Sequence, residues 1–502
     1  MQNRATDRQS ASDKHSMQKD LRLGLSTLGL ASLGTAALVL AHHLGRKQYD
    51  ANARLVDYID GVFDKLGYVR KDGSAAINQG EDNSASEHSS LQQNISVSSS
   101  AKVANESDKQ SQTHKQGKAQ ATLDSQLRWV SGVAELQTND FAVVGINDQR
   151  DIVWQTPMPE RVHDIVIQPQ PLANHGLVEK TTAKKIQHVA VMGRRPSASF
   201  WILQAVDGQV LHHIQAASNR HFYGHACYSL DGKYLYVTEN NTQDFSGVIG
   251  VYEVATGYQK LTEFATQGIG PHELVMHPDG DTLVIANGGI KTEKASRAEL
   301  NIDSMQPSLV YLNRHDGKLL QQVYPAHNQM SVRHLAMHQN GTVIIGIQFQ
   351  GERHLSVPLV LTHQLGQEKL TPLLIPSLDT KGWYRFHHYI ASVAVDSEHN
   401  LVCATSPIGG CAAVFDLDTG LMIDGVNLPD CAGVALWSAD RLATCKPQFL
   451  VSDGQGNLTR IRIEDRGGLP PNNNITTPAI TINKVAQAFA FDNHLKKLAV
   501  LS

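Results

Sequence analysis

Apolar and polar positions along the second two-thirds of the chain follow one repeating scheme. A polar or small residue heads a short apolar run, a tight turn follows, and a second apolar run returns. Seven segments open this way, at His163, His225, His272, His334, Tyr389, Cys431 and Gln487, and successive heads lie 42 to 62 residues apart by subtraction. Between the runs stand Asp207-Gly208, Asp231-Gly232, Asp279-Gly280, Asp316-Gly317 and Asn340-Gly341. Such dipeptides supply the positive φ of tight hairpins. A unit of several short strands repeated every ~40–50 residues predicts a β-propeller. No long amphipathic helix interrupts the pattern after Leu127, so alternating helix–strand folds are excluded in favour of an all-β, seven-bladed β-propeller over residues 127–502.

The last run, Ala488–Leu501, reads as inner strands of a blade whose outer strands come from Phe141–Gln155. Ring closure by N- and C-terminal strands leaves no exposed sheet edge. Four strands per blade leave Trp129–Glu135 one strand in excess.

The first part of the chain is different. Arg4, Arg8, Lys14, Lys19 and Arg22 precede an apolar stretch from Leu23 to Leu40, so residues 1–45 read as a signal peptide or an N-terminal membrane anchor, an N-terminal hydrophobic helix in either case. Cleavage near Ala41 releases the protein to the periplasm. Without cleavage, residues 23–40 are just long enough to anchor it to the inner membrane. Leu55, Val56, Ile59, Val62, Phe63 and Leu66 recur at helical spacing and predict an amphipathic helix over 46–70. Residues 71–126, rich in Ser, Gln, Asn and Lys, bury too little to order themselves and read as a disordered polar linker.

Composition narrows the function. Net charge is −4, aromatics are 6% and no basic stripe exists, so no nucleic acid partner is expected. Cys227, Cys403, Cys411, Cys431 and Cys445 show no CxxC spacing, which argues against a thiolate zinc site and leaves one or two disulfides open.

Candidate chemistry lies at the strand heads, because propeller blades converge on an axis. The strings Gly268-Ile269-Gly270-Pro271-His272-Glu273-Leu274, Phe222-Tyr223-Gly224-His225 and Ser331-Val332-Arg333-His334-Leu335 each deliver a histidine there. His163 stands in the equivalent place, and His388-Tyr389 opens a fifth blade. Imidazoles meeting near the axis suit a transition metal, iron or copper, with His225, His272 and His334 as ligands. Glu239, Glu273, Asn287 and Gln348 are expected to add oxygen atoms or to orient the rings, and Tyr389 to line the same ligand site. The alternative for each histidine is a hydrogen bond within or between blades. His272 with Glu273 or Glu239 also suits a general base in a hydrolase or lactonase. A third reading is an envelope protein-interaction scaffold. Arg194 and Arg195 are candidates to meet an anionic ligand, and the long connection Lys291–Ser308 to cap one face.

These strings together resemble one bacterial family, the domain of unknown function family numbered 1513. The resemblance runs from about Val143 to the C-terminus through Arg194-Arg195-Pro196, Phe222–His225, Thr238-Glu239-Asn240, Gly268–Leu274, Ala286–Ile290, Leu300–Leu309, Arg333–Ala336, Gln348–Gly351 and Asp492-Asn493-His494. It implies an exported propeller-like protein, often encoded beside imelysin-type iron-uptake proteins, and hence a link to iron acquisition with envelope iron-uptake partners. Many relatives resemble twin-arginine substrates, whereas no arginine pair precedes the apolar run here. More broadly the chain resembles quinoprotein amine dehydrogenase-like and YVTN-repeat propellers, among which lactonases occur.

Overall fold

The computed structural model describes residues 127–169, 187–195, 197–292, 299–437, 446–464 and 480–498. The chain divides into two units, Met1–Asp124 and Ser125–Ser502, and every described residue belongs to the second. The expected leader or anchor, amphipathic helix and linker lie outside the described residues, as do Pro196, Arg297 and Cys445. Among the described residues no helix is long and apolar enough to cross a membrane.

Seven four-stranded antiparallel sheets form a seven-bladed propeller. Their innermost strands are Val162–Ile167 (blade 1), Arg220–Tyr228 (blade 2), Pro271–Met276 (blade 3), Met330–Met337 (blade 4), Ser392–Asp396 (blade 5), Cys431–Leu436 (blade 6) and Phe489–Lys497 (blade 7). Each packs against the next, and blade 7 packs against blade 1, so the ring closes. In each of blades 1 to 6 the chain leaves the axis by a meander and returns to start the next blade. All seven innermost strands therefore run in the same direction along the axis.

Closure differs from the sequence reading in one respect. The C-terminal segment gives a single strand, Phe489–Lys497, and Leu127–Glu135 pairs beside it as the second strand of blade 7. Phe141–Asn147 and Ile152–Pro157 complete the sheet. The strand counted as surplus is thus the one that joins the two chain ends. Gln487 accordingly lies before the strand, where its amide donates to Arg150 O at 2.7 Å.

The turns form as their residues dictate. Gly232 and Gly280 take φ of 67° and 75°, and the preceding aspartates close the turns by accepting backbone N–H bonds, as Asp279 Oδ1 does from Asp281 at 2.8 Å. The core sits between neighbouring blades. Phe200 of blade 1, for example, meets Phe222 and Tyr252 of blade 2 edge-on, at centroid distances of 5.0 and 5.3 Å. Helical structure is confined to three short 3₁₀ turns among the described residues.

Candidate metal centre

Bulges set the site. A regular strand sends alternate side chains to opposite faces. Pairing slips at Val162/Asp164 in blade 1, Phe222/Ala226 in blade 2, Pro271/Leu274 in blade 3, Val332/His334 in blade 4 and between Phe491 and Leu495 in blade 7. Each slip falls at or beside a histidine, and a bulge re-aims the side chains it carries. His163, His225, His272, His334 and His494 consequently converge from five consecutive blades. Ring centroids are 4.4 Å apart for His225–His272, 4.6 Å for His163–His225 and 4.8 Å for both His225–His494 and His272–His334. His334 and His494 are 5.3 Å apart. Blade 5 offers Tyr389 instead, 6.5 Å from His334. Blade 6 offers only the small Ala432 and Gly433 at its slip.

Two carboxylates orient the rings. His225 Nδ1 lies 3.0 Å from Asp164 Oδ2, and His494 Nδ1 is 3.6 Å from Asp164 Oδ1. His334 Nδ1 lies 3.2 Å from Glu273 Oε2, which also accepts the Leu335 N–H at 3.1 Å. Lys496 Nζ stands 3.6 Å from each of Asp164 Oδ1 and Glu273 Oε1 and so links the two. Burial alone would raise both acids. Lys496 and the histidines instead hold Asp164 at about 2, and Lys496 with the His334 hydrogen bond holds Glu273 well below its usual range. Both are therefore anions that only accept, so His225 and His334 must carry their proton on Nδ1. Burial lowers His334, pushes His494 down to about 3, and depresses His163 and His272 strongly, helped by neighbouring imidazoles and by Arg194 and Arg333.

The remaining nitrogens are orphaned. His225, His334 and His494 each bury Nε2, and His163 and His272 each bury Nδ1, with no protein hydrogen-bond partner. An unsatisfied buried polar atom costs about 1–3 kcal/mol. Five of them would cost about as much as the whole net stability of a typical domain. An ordered water or a ligand bound to these rings removes the cost. One ligand-capable nitrogen on each of His163, His225 and His272 lies within 4.8 Å of the others. Metal–imidazole bonds of ~2.1 Å in a tetrahedral site need nitrogens roughly 3.4 Å apart. The three rings would therefore have to draw closer than their present spacing to share one ion.

The other residues singled out from the sequence fall as follows. Glu273 reaches the centre, but its carboxylate holds His334 and Lys496, and no hydrogen bond joins it to His272. Glu239 stays inside blade 2, where Tyr252 Oη and Lys260 Nζ donate to it, each at 2.8 Å. Asn287 donates to Thr266 O at 2.8 Å beside Gly268. The Gln348 backbone bridges to Tyr389. His388 bonds Leu355 O at 2.9 Å, and Cys431 packs in the core between blades. Cys227, Cys403, Cys411 and Cys431 are buried free thiols.

Asp164, His494 and Lys496 were not singled out as site residues. His494 carried a usable signal in Asp492-Asn493-His494, but with Gln487 taken as the strand head it fell deep in the strand. Asp164 follows His163 directly, and only the bulge lets both neighbours face inward.

The family model described as "Protein of unknown function (DUF1513)" matches residues 156–498. No curated protein matches the chain. Among solved structures, a chain from "Kuenenia stuttgartiensis Hydrazine Synthase" is 13% identical with a TM-score of 0.45, over 62% of this chain and 86% of that one. A chain from "Crystal Structure of Mitotic Checkpoint Complex" is 14% identical with a TM-score of 0.40, over 56% and 71%. Likenesses this remote carry nothing about activity.

Proposed function

The chain belongs to this family of unknown function, and since the matched span contains the whole histidine centre, we propose that the protein is a transition-metal-binding propeller whose ion sits on the axis. The observation that carries the reading is the set of five buried ring nitrogens without a protein partner, on histidines from five blades. Asp164 and Glu273 fix the His225 and His334 tautomers and present Nε2 lone pairs toward the ion. Carboxylates behind metal-bound imidazoles commonly play this part. Imidazole-rich sites suit iron or copper, and the absence of a thiolate from the cluster disfavours Cu(I). His163, His225 and His272 are the proposed core ligands, with His334 and His494 completing the shell.

The basic-then-apolar amino terminus supports export to the periplasm, either released or held at the inner membrane. An exported iron- or copper-binding protein is consistent with a part in iron acquisition alongside other envelope proteins. The test is elemental analysis of full-length protein purified from its native envelope. A stoichiometric transition metal supports the reading, and a metal-free protein that takes up neither iron nor copper refutes it.

A further inference from the structure

The innermost strands are stacked in layers. Because they run in one direction, residues just before each histidine form the next layer toward one end of the axis. That layer carries Arg161 before His163, Tyr223 before His225, Arg333 before His334 and Asp492 before His494. Arg194 and Arg195 join it, because Gly193 pairs with Val162 and the Arg194 N–H donates to Arg161 O at 2.9 Å. The Arg195 guanidinium lies over the Tyr223 ring at 5.0 Å and donates to Thr292 Oγ1 at 3.2 Å.

Four guanidiniums thus crowd one mouth of the centre. Among the described residues the carboxylates near it are Asp492, paired with Arg161 at 2.6 Å, and Glu160 and Glu299, which accept from the neutral Ser197 hydroxyl and, at 3.2 Å, the neutral Gln350 amide. Among the described residues Arg333 makes no ion pair, and its buried Nε has no protein partner. Four guanidiniums against these three carboxylates leave the described entrance with a small net positive charge. An oxyanion meets forked donors that match carboxylate or phosphate geometry.

We propose that this mouth binds a multiply charged oxyanion, carboxylate or phosphate, as co-ligand of the axial ion, so that the ion is held as an anionic chelate. The inference rests on the metal reading for the ion, while the arginine mouth stands on its own geometry. Arg333 and Arg195 grip the anion, Tyr223 supports Arg195, and the histidines below contact the ion.

Equilibrium dialysis of radiolabelled citrate, and separately of inorganic phosphate, against full-length protein tests this in metal-free and Cu(II)-loaded forms. The loaded wild type is expected to bind at least one of the two anions, and the metal-free form about tenfold more weakly. Arg333→Gln and Arg195→Gln are each expected to weaken anion binding by about tenfold or more while their Cu(II) content stays far above that of His225→Ala. Melting temperatures identify any variant that fails to fold, and Arg195→Gln, nearer the surface loop, provides the second reading. No binding of either anion by wild type, equal binding with and without Cu(II), or wild-type binding by both variants overturns the proposal. Anion binding by a wild type that takes up neither Cu(II) nor Fe(II) defeats the metal reading and the co-ligand role together but leaves the arginine mouth in place.

Discussion

The Nδ1 of His225 lies 3.0 Å from the carboxylate of Asp164 on the adjoining blade, and both side chains are shut away from solvent, at 0% and 1% exposure. The same carboxylate faces His494 and Lys496. One buried charge therefore couples blades 1, 2 and 7 and fixes an imidazole tautomer.

Asp164→Asn should consequently damage both stability and metal binding. Removing one partner of a buried charge network costs about 3–5 kcal/mol. Loss of an outer-shell carboxylate typically lowers metal affinity by about 10–100-fold. Urea denaturation of the metal-free protein and metal titration of the folded variant measure the two effects separately.

Glu239→Gln should separate from it. Glu239 belongs to the interior of blade 2 with Tyr252 and Lys260. The substitution is expected to lower stability by about 1–3 kcal/mol and to leave metal content at the wild-type level, as read by denaturation and elemental analysis.

Acid should destabilise the metal-free protein from near neutrality downward. His494 titrates at about 3 in the folded state, so below its ordinary value the unfolded chain takes up a proton that the folded chain refuses. Asp164 is held at about 2 and Glu273 is also depressed, and their contribution is complete above the unfolded carboxylate range and lost as pH falls toward the folded values. All three act in the same direction. The urea midpoint should fall from about pH 6.5 toward pH 3, and a midpoint that is flat over this interval contradicts the buried network.

The four described cysteines should resist modification in the native state. Burial pushes Cys411 up to about 11 and raises Cys227, Cys403 and Cys431 further, and the thiolate is the reactive form. A thiol reagent should label these four only after denaturation, and mass mapping of the labelled peptides checks it.

Much of the architecture was legible because turn chemistry and strand heads are local signals. Asp231-Gly232 and Asp279-Gly280 mark hairpins wherever they occur, and seven heads specify seven blades. The centre was partly legible. His163, His225, His272 and His334 could be found from their place at the heads. His494 could not be placed that way, since the final strand begins at Phe489 and its bulge carries the histidine several residues inward. Asp164 and Glu273 show the deeper difficulty. Strict alternation puts neighbours on opposite faces, and only the slipped pairing at Val162/Asp164 and Pro271/Leu274 turns both members of each pair toward the axis. A bulge depends on pairing with another strand, so a single strand's sequence does not announce it.

The most direct measurement is the metal content of full-length protein stripped with chelator, reloaded separately with Fe(II) and Cu(II), dialysed, and assayed beside His225→Ala and His272→Ala. The account predicts close to one tightly held ion per chain in wild type with at least one of the two metals, and background levels in both variants. A wild type that retains neither metal, or histidine variants that retain as much as wild type, contradicts it.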